Sequence, residues 1–343
     1  MLNWGLGHAT RTVPVVRELL AAGHRPVLAS DGRALRLLRN EFPHLDVREL
    51  PAYNVRYGRN LVWSMVRQVP KLLRAVRAER RAVADWVARE HFTHLISDNR
   101  YGCHHAALRS ALLTHQINIA VPNRLFTGVN HWNRHLLRQF DQIWVPDHPP
   151  GSDSLAGKLA EPHPRLPPVR HLGPLSRLVG RDVPKRYALA AVVSGPEPSR
   201  TEFATYLRRE LPRLEQRCAL VLGQPERTDP PSSVGMVDVF PFRNTTQLNR
   251  LLNESAVVLS RAGYSSIMDY ETLGLPAILV PTPGQTEQEY LARHFAQTGR
   301  YVTSDLTTDS LSELLERARR IPPRAVPVLK TPPLRAVLED FLK

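Results

Sequence analysis

The chain has 343 residues, 42% of them hydrophobic and 23% charged, a composition typical of globular proteins at a length that favours two domains. It contains no apolar run of about 18 residues and begins without a signal-peptide pattern, so the sequence predicts neither a membrane-spanning helix nor export. Residues 1–180 hold 25 Lys and Arg against 13 Asp and Glu, a net charge of +12, whereas the remainder carries +2, so the first part is expected to face an anionic partner such as a membrane surface, an anionic substrate or nucleic acid.

The chain opens on a glycine-rich turn. Gly5, Gly7 and His8 precede a helix predicted over about residues 9–22. Such a turn normally follows a strand, but almost no strand-forming residues stand before it, so we interpret the first strand as truncated. His8 is either a capping or packing residue or a site residue, and its position beside two glycines at a helix start favours the site.

Residues 27–145 predict alternating strands and helices. Strands are expected at Val27–Ser30, 42–50, His94–Ser97, Gln116–Val121 and Gln142–Val145. A helical stretch over 61–90 carries a row of basic residues: Lys71, Arg74, Arg77, Arg80 and Arg81. This row is either the solvated face of an ordinary helix or a membrane-binding surface.

Polar residues follow two of these strands. Asp98, Asn99 and Arg100 come directly after Ser97, and Asn123 follows the next predicted strand. Open α/β sheets bind ligands at the carboxyl ends of their strands, so these are candidate site residues. For Asp98, a helix N-cap is the alternative role.

The stretch from Ala256 to Tyr290 organises the second half. The apolar run Ala256–Ser260 predicts a strand buried on both faces. A helix follows, which Ser265 or Ser266 would cap and Gly274 would end, and then the next strand. This is a βαβ unit, so its helix N-terminus lies at the carboxyl edge of the sheet.

This geometry suits a nucleotide sugar. Backbone N–H groups and the positive end of the helix dipole converge near Gly263–Ser265, where a phosphate or diphosphate binds well. Asp269 lies about one turn further along, within reach of ribose hydroxyls, and Gln288 and Glu289 offer an amide and a carboxylate to sugar hydroxyls. Glycine turns are common in α/β folds, and acidic residues near a helix start also complement its dipole, so spacing alone leaves a purely structural role open.

The sequence SRAGYSSIMDYETLGLPAILVP, followed by GQTEQEY, closely resembles the donor-binding segment of the MurG-like glycosyltransferases. NWGLGHATR resembles the first βα turn of the same family. The resemblance implies the α/β GT-B fold, in which two Rossmann-like doubly wound domains face a cleft. The expected domains are residues 1–173 for the acceptor, 174–320 for the nucleotide-sugar donor, and 321–343, a proline-rich segment and helix that packs back on the first domain.

Carried over residue by residue, the resemblance implies a donor site in the second domain. Its expected members are Ser194, Gly195, Phe242, Arg243, Arg261, Ala262, Gly263, Tyr264, Ser265, Asp269, Gln285, Gln288 and Glu289. Glu289 stands where these proteins have a second Gln, which leaves N-acetylglucosamine specificity open. Prolines 196 and 198 follow Ser194 and Gly195, where the family has small residues, so the individual contacts of that turn stay open.

The implied reaction moves a sugar from a nucleoside-diphosphate sugar, most simply a UDP-sugar, to a hydroxyl acceptor, which includes lipid-linked acceptors. A helix N-terminus disfavours imidazolium, so His8 is the expected general base, with Asp98 as the alternate base or as the group that orients His8. The expected acceptor contacts are Gly5, Gly7, Asn99, Arg100 and Asn123. No cofactor or metal is expected, because the chain lacks an Asp-x-Asp pattern and its two cysteines form no zinc motif. The expected location is the cytoplasm, with peripheral contact to an anionic inner membrane face.

Three other functions were weighed. A sugar-nucleotide 2-epimerase shares the GT-B architecture and stays open. A dinucleotide oxidoreductase is disfavoured because Thr10 stands where the third glycine of the G-x-G-x-x-G pattern belongs. A nucleic-acid binder is disfavoured because aromatic residues do not alternate with the basic ones.

Overall fold

The computed structural model describes residues 6–53, 61–120, 127–224, 226–227, 229–322 and 334–343. The chain divides into two compact units, one formed by Met1–Ser176 with Leu329–Lys343 and the other by Arg177–Val328. The sequence placed the first boundary at residue 173 and began the C-terminal segment at 321. None of the helices in the described ranges is long and apolar enough to cross a membrane.

Helices and strands alternate along most of the described chain. The helices are α1 (Leu6–Ala21), α2 (Gly32–Glu41), α3 (Leu61–Arg89), α4 (Thr127–Leu137), α5 (Ser199–Glu210), α6 (Thr245–Asn253), α7 (Tyr264–Leu273), α8 (Thr286–Thr298), α9 (Leu311–Arg319) and α10 (Leu334–Phe341). The strands are β1 (Leu28–Ser30), β2 (Val47–Glu49), β3 (His94–Asp98), β4 (Arg109–Leu113), β5 (Gln142–Val145), β6 (Val169–His171), β7 (Tyr187–Val192), β8 (Cys218–Val221), β9 (Ser232–Val234), β10 (Val237–Phe240), β11 (Ser255–Arg261), β12 (Ala277–Val280) and β13 (Val302–Thr303).

The described strands of the first unit form two parallel sheets. β1 pairs with β2, and the second sheet has the order β3-β4-β5-β6. The strand expected before Gly5 falls on residues 1–5, which lie outside the described residues. Because every described pair in this unit is parallel, the carboxyl ends of β3 and β4 lie at one edge.

One predicted strand of this unit is wrong. The strand after β3 is β4 rather than 116–121, and residues 116–120 form a loop. The side chain of Asn130 bonds the backbone of Ile119, and that of Asn133 donates to the carbonyl of Ile117 at 2.9 Å. These amides satisfy backbone groups that a strand would have paired. The apolar residues of this segment therefore form a loop that side-chain hydrogen bonds hold in place.

The second unit is built around β11. Its sheet has the order β13-β12-β11-β7-β8-β10-β9, in which only the edge strand β9 runs antiparallel. Val257, Val258 and Leu259 have no exposed surface, so β11 is covered on both faces. Burying each such side chain contributes about 1.5–3 kcal/mol. The prediction of a doubly buried central strand is therefore confirmed.

The helix after β11 begins two residues earlier than a cap by Ser265 requires. Gly263 is the N-cap, with φ −80° and ψ 136°, while Ser265 and Ser266 lie inside α7. The predicted serine cap is therefore wrong. Gly274 ends the helix with φ 64°, as predicted for a glycine C′ residue.

The C-terminal helix α10 packs within the first unit. Phe341 has no exposed surface and makes edge contacts with the rings of Trp144 and His94 at centroid distances of 5.0 and 5.2 Å. Arg109 Nη1 donates to the carbonyl of Phe341 at 3.0 Å. A cation at the C-terminal carbonyls of a helix is favourable because it meets the negative end of the dipole.

Candidate active site

The turn from β11 into α7 presents an uncapped helix N-terminus. Its N-cap, Gly263, has no side chain and so makes no side-chain cap hydrogen bond to the first turn of α7. No described atom lies within 4 Å of the position that a Cβ at Gly263 would take. Ala262 and Tyr264 are buried, so both can offer a ligand little beyond backbone groups, whereas Ser265 is half-buried. The N–H of Gly263 itself donates to the carbonyl of Arg261 at 2.8 Å. The N–H groups of the first helical turn and the helix dipole together make this turn suitable for an anion.

Arg261 supports this turn from behind. Its Nη1 donates to the carbonyl of Pro281 and its Nη2 to that of Ser199, each at 3.1 Å. Its guanidinium lies over the ring of Phe203 at 4.2 Å from the centroid, and the side chain is buried. These bonds tie the end of β11 to the loop after β12 and to the start of α5, while Nε has no hydrogen-bond partner among the described residues. A contact between Arg261 and the diphosphate stays a prediction.

Two acidic residues of α7 have different surroundings. Glu271 is buried, pairs with Arg300, and accepts a hydrogen bond from Tyr301 Oη at 3.2 Å. Asp269 is only half-buried. Glu271 is thereby committed to the packing of this unit, which leaves Asp269 as the carboxylate of α7 with access to a ligand.

The loop between β12 and α8 brings together the residues expected to bind the sugar. Gln288 Oε1 accepts from the N–H of Thr282 at 2.9 Å, and Glu289 Oε1 accepts from the N–H of Gly284 at 2.8 Å. Gln288 Nε2 also donates to Gln285 Oε1 at 2.6 Å. Glu289 uses one oxygen to hold the loop, and Gln288 uses its oxygen and one N–H, so Glu289 Oε2 and the second N–H of Gln288 remain to face a sugar.

The other expected donor residues lie on two neighbouring turns. Ser194 and Gly195 follow β7 and are exposed, with Gly195 at φ 108°, a conformation that favours glycine. Phe242 follows β10 and is 39% exposed. The guanidinium of Arg243 lies 3.7 Å from the ring centroid of Phe240. Because β7, β10 and β11 belong to one sheet and run parallel, these turns share its carboxyl edge with Gly263.

In the first unit, the start of α1 meets the end of β3. His8 Nδ1 lies 2.9 Å from Asp98 Oδ1. Arg11 binds the same carboxylate through Nη2 on Oδ1 and through Nε on Oδ2, the latter at 3.0 Å. Thr12 Oγ1 adds a bond to Oδ2 at 3.0 Å. Asp98 therefore orients His8. The alternative of a helix N-cap is wrong because no helix begins in the described residues directly after Asp98 and its carboxylate bonds side chains of α1.

Protonation in this cluster follows from its hydrogen bonds. Desolvation alone would raise the pKa of Asp98, but the charges of Arg11 and His8 and their hydrogen bonds outweigh it and hold that pKa well below its usual range. Asp98 is thus an acceptor only, so His8 Nδ1 carries the proton and Nε2 keeps its lone pair. Burial, followed by the charge of Arg11, lowers the pKa of His8. His8 is therefore neutral near pH 7, and Asp98, which is ionised at that pH and strongly held by its partners, is a poor general base.

The expected acceptor contacts are only partly in place. Arg100 has no exposed surface and pairs with Asp31 and with Glu79, the latter at 2.6 Å, so its assignment as an acceptor contact is corrected to a buried structural role. Asn99 is half-buried at φ 53°, and its Oδ1 has no hydrogen-bond partner among the described residues. Gly7 lies in the first turn of α1.

Two further acceptor residues, Gly5 and Asn123, lie outside the described residues. The described residues also contain no group of three or more His, Cys, Asp or Glu side chains placed to hold a metal ion. Reaction without a metal stays a prediction.

Sequence reasoning missed Arg11, Thr12 and His115. Arg11 and Thr12 follow His8 by three and four residues, so a helical wheel would have placed them beside it. His115 lies just beyond β4, the strand that was misplaced, and Arg11 Nη1 lies 3.1 Å from His115 Nδ1.

Residues 215–327 match the family described as glycosyltransferase family 28 C-terminal domain. A segment of 73 residues is 40% identical to the UDP-N-acetylglucosamine–N-acetylmuramyl-(pentapeptide) pyrophosphoryl-undecaprenol N-acetylglucosamine transferase of Exiguobacterium sibiricum. This alignment covers 20% of the chain and 20% of that relative, so the chain shares about a fifth of the relative's length.

Solved structures resemble nearly the whole chain. The glycosyltransferase SnogD from Streptomyces nogalater has a TM-score of 0.64 at 16% identity, covering 99% of this chain and 97% of its own. The spinosyn rhamnosyltransferase SpnG complexed with thymidine diphosphate has a TM-score of 0.61 at 17% identity, with coverages of 99% and 98%. The spinosyn forosaminyltransferase SpnP gives 0.61 at 13% identity, with coverages of 98% and 96%. At these identities the likeness is one of fold.

Proposed function

We propose that this chain, which has the GT-B fold and a MurG-like second unit, is a glycosyltransferase that moves a sugar from a nucleoside-diphosphate sugar to a hydroxyl acceptor. We further propose a UDP-sugar as the donor, bound by the second unit, and an acceptor bound by the first. The match to the family 28 domain supports the first assignment, because it contains the whole segment from Arg261 to Glu289.

The observation that carries this proposal is the uncapped N-terminus of α7 at Gly263. A diphosphate there would bond backbone N–H groups of the first helical turn and lie at the positive end of the helix dipole. During transfer, the bond between the anomeric carbon and the diphosphate breaks, and its electron pair leaves with the diphosphate. Fixed N–H donors stabilise this developing charge. Asp269 would bind the ribose hydroxyls, and Gln288 with Glu289 the sugar.

His8 would act on the acceptor. As the acceptor oxygen forms its bond to the anomeric carbon, its O–H bond breaks and the proton moves to His8 Nε2. Asp98 bonds Nδ1 and so presents Nε2 for that proton. Asn99, with a buried oxygen that lacks a partner among the described residues, would help to hold the acceptor.

The basic face of α3 supports an anionic partner for the first unit. Arg74, Arg77, Arg80 and Arg81 are exposed, whereas Val76 and Val83 of the same helix are buried. An acceptor that carries phosphate, including a lipid-linked one at the surface of an anionic membrane, would be attracted to this face. The proposed location at a cytoplasmic membrane surface rests on the same charge.

A ligand panel tests the proposal. The full chain is heated with UDP, dTDP, GDP and their sugars, with NAD and an oligonucleotide as controls. We expect one nucleoside diphosphate to raise the melting temperature, since ligand at about 100 times its Kd adds about 2.7 kcal/mol of stability. Stabilisation by NAD or the oligonucleotide alone would overturn the proposal. The comparisons do not support the epimerase alternative, and conversion of a UDP-sugar to its epimer without an acceptor would revive it.

A further inference from the structure

Arg11 is the cation that links the other side chains of the first unit's candidate site by hydrogen bonds. It is 1% exposed, and three of its nitrogens meet partners from two other segments. Nε and Nη2 form a fork on Asp98, while Nη1 lies 3.1 Å from His115 Nδ1. A bidentate guanidinium–carboxylate pair fixes both groups in one plane.

The hydrogen-bond roles fix the state of His115. A guanidinium has donors only, so His115 Nδ1 must accept and its proton must sit on Nε2. His115 is buried, and it thereby holds the end of Arg11 that Asp98 leaves unused. The order of contacts is His115 to Arg11, Arg11 to Asp98, and Asp98 to His8.

The same order sets the charge that His8 experiences. The titratable groups that face it in the described residues are Arg11 from its own helix, Asp98 from the end of β3 and His115 from beyond β4. Asp98 alone would stabilise a protonated His8 and raise its pKa. Burial opposes that effect most, and the charge of Arg11, which lies on the same carboxylate, lowers the pKa of His8 further.

We propose that Arg11, held in place by His115, is a positioning residue that shares the Asp98 carboxylate with His8 and thereby keeps His8 neutral with its Nε2 lone pair free. A carboxylate bonded only to His8 would hold the imidazolium and make His8 a poor base at neutral pH. The proposal rests on the proposed function for its consequence in catalysis, but the protonation of His8 can be measured without any reaction.

The test is an NMR titration of the full chain labelled at histidine. The His8 signal is assigned by its loss in His8→Gln, and the other histidines serve as internal references. In Arg11→Gln, which removes the charge, we expect the pKa of His8 to rise by about 1 or more. Arg11→Lys keeps the charge but not the fork, so it should raise the pKa less. An unchanged or lowered pKa of His8 in folded Arg11→Gln overturns the proposal.

A second pair of variants covers the case in which Arg11→Gln does not fold. His115→Gln keeps an acceptor for Arg11 and should leave the pKa of His8 near its original value, whereas His115→Leu removes the acceptor and should raise it. If His115→Gln, His115→Leu and Arg11→Lys all give the same pKa for His8, the proposal is contradicted. Once an acceptor is known, the acidic limb of the kcat/KM profile should move to higher pH with the pKa of His8. If the NMR shift occurs while His8→Asn turns over normally, the assignment of His8 as the base fails, whereas the effect of Arg11 on the protonation of His8 stands.

Discussion

His8 Nδ1 and Asp98 Oδ1 lie 2.9 Å apart although 90 residues separate them in sequence. The carboxylate that orients the ring comes from the end of β3 and the ring from the start of α1, so the sheet edge assembles a histidine with one defined tautomer. This contact leaves Nε2 as the nitrogen of His8 that can take a proton. The expected effects of the His8 variants follow from it.

Loss of His8 should slow transfer without weakening donor binding. His8→Ala should lower kcat by about 10²–10⁴-fold, because a positioned general base contributes that much. His8→Asn keeps a hydrogen bond but accepts no proton, so it should be nearly as slow. UDP affinity, measured by calorimetry, should stay at its original value, since the proposed donor residues belong to the second unit. Near-normal turnover of His8→Asn would leave His8 a binding or packing residue.

Acid should destabilise the first unit through Asp98. Its folded-state pKa lies below the ordinary value of 3.8, so its contribution to stability is present above that value and is lost as pH falls through the folded pKa. Asp98→Asn leaves Arg11 buried without a counter-charge and should cost about 3–5 kcal/mol at neutral pH.

Urea unfolding at neutral pH and at about pH 3 measures this difference. The difference in the free energy of unfolding between wild type and Asp98→Asn should be smaller in acid than at neutral pH. Exposed Asp46 supplies the control, because Asp46→Asn should change little at either pH. If the difference in the free energy of unfolding between wild type and Asp98→Asn is the same at both pH values, the partners of Asp98 do not lower its pKa in the folded protein.

Arg100 should prove structural. Arg100→Met leaves Glu79 and Asp31 without their shared cation, and the free energy of unfolding should fall by about 3–5 kcal/mol. Exposed Arg74 is the control, since Arg74→Met should change stability by no more than about 0.5 kcal/mol. A stable Arg100→Met protein with a raised KM for the acceptor would restore the original assignment.

Glu289 should affect the sugar through its charge. Glu289→Gln keeps an acceptor for the N–H of Gly284, so the loop and UDP affinity should survive. A sugar hydroxyl would lose its bond to a charged acceptor, worth about 1.5–3 kcal/mol, so kcat/KM for the UDP-sugar should fall by about 10–150-fold. Glu289→Ala should also lower the melting temperature. Equal kcat/KM for wild type and Glu289→Gln would remove Glu289 from the sugar site.

Local patterns predicted much of the second unit. The apolar run of β11, the glycine turn and the stop at Gly274 are all encoded within a few residues, and the GT-B fold expected from their resemblance is confirmed. The serine cap failed because Gly263 already provides the extended backbone of an N-cap. These features depend on neighbours in the chain, which a sequence shows directly.

Distant partners explain the remaining errors. The sequence predicts that Arg100 contacts a ligand, because it does not show that Asp31 and Glu79, from other segments, pair with it. The sequence also does not show that Arg261 donates to the carbonyls of Ser199 and Pro281, which lie on other segments. The sequence around an arginine at a strand end does not distinguish a ligand contact from a buried ion pair, because only the tertiary fold determines its partner.

Calorimetric titration of UDP into the full chain and into Asp269→Ala tests the central claim most directly. The account predicts that UDP binds, and that Asp269→Ala weakens binding by about 1.5–3 kcal/mol because it removes charge-assisted bonds to the ribose. Glu316→Ala, which alters an exposed carboxylate on α9, should bind UDP as wild type does. Unchanged affinity in Asp269→Ala, or no binding of any nucleoside diphosphate to the wild-type chain, would contradict a donor site at the start of α7.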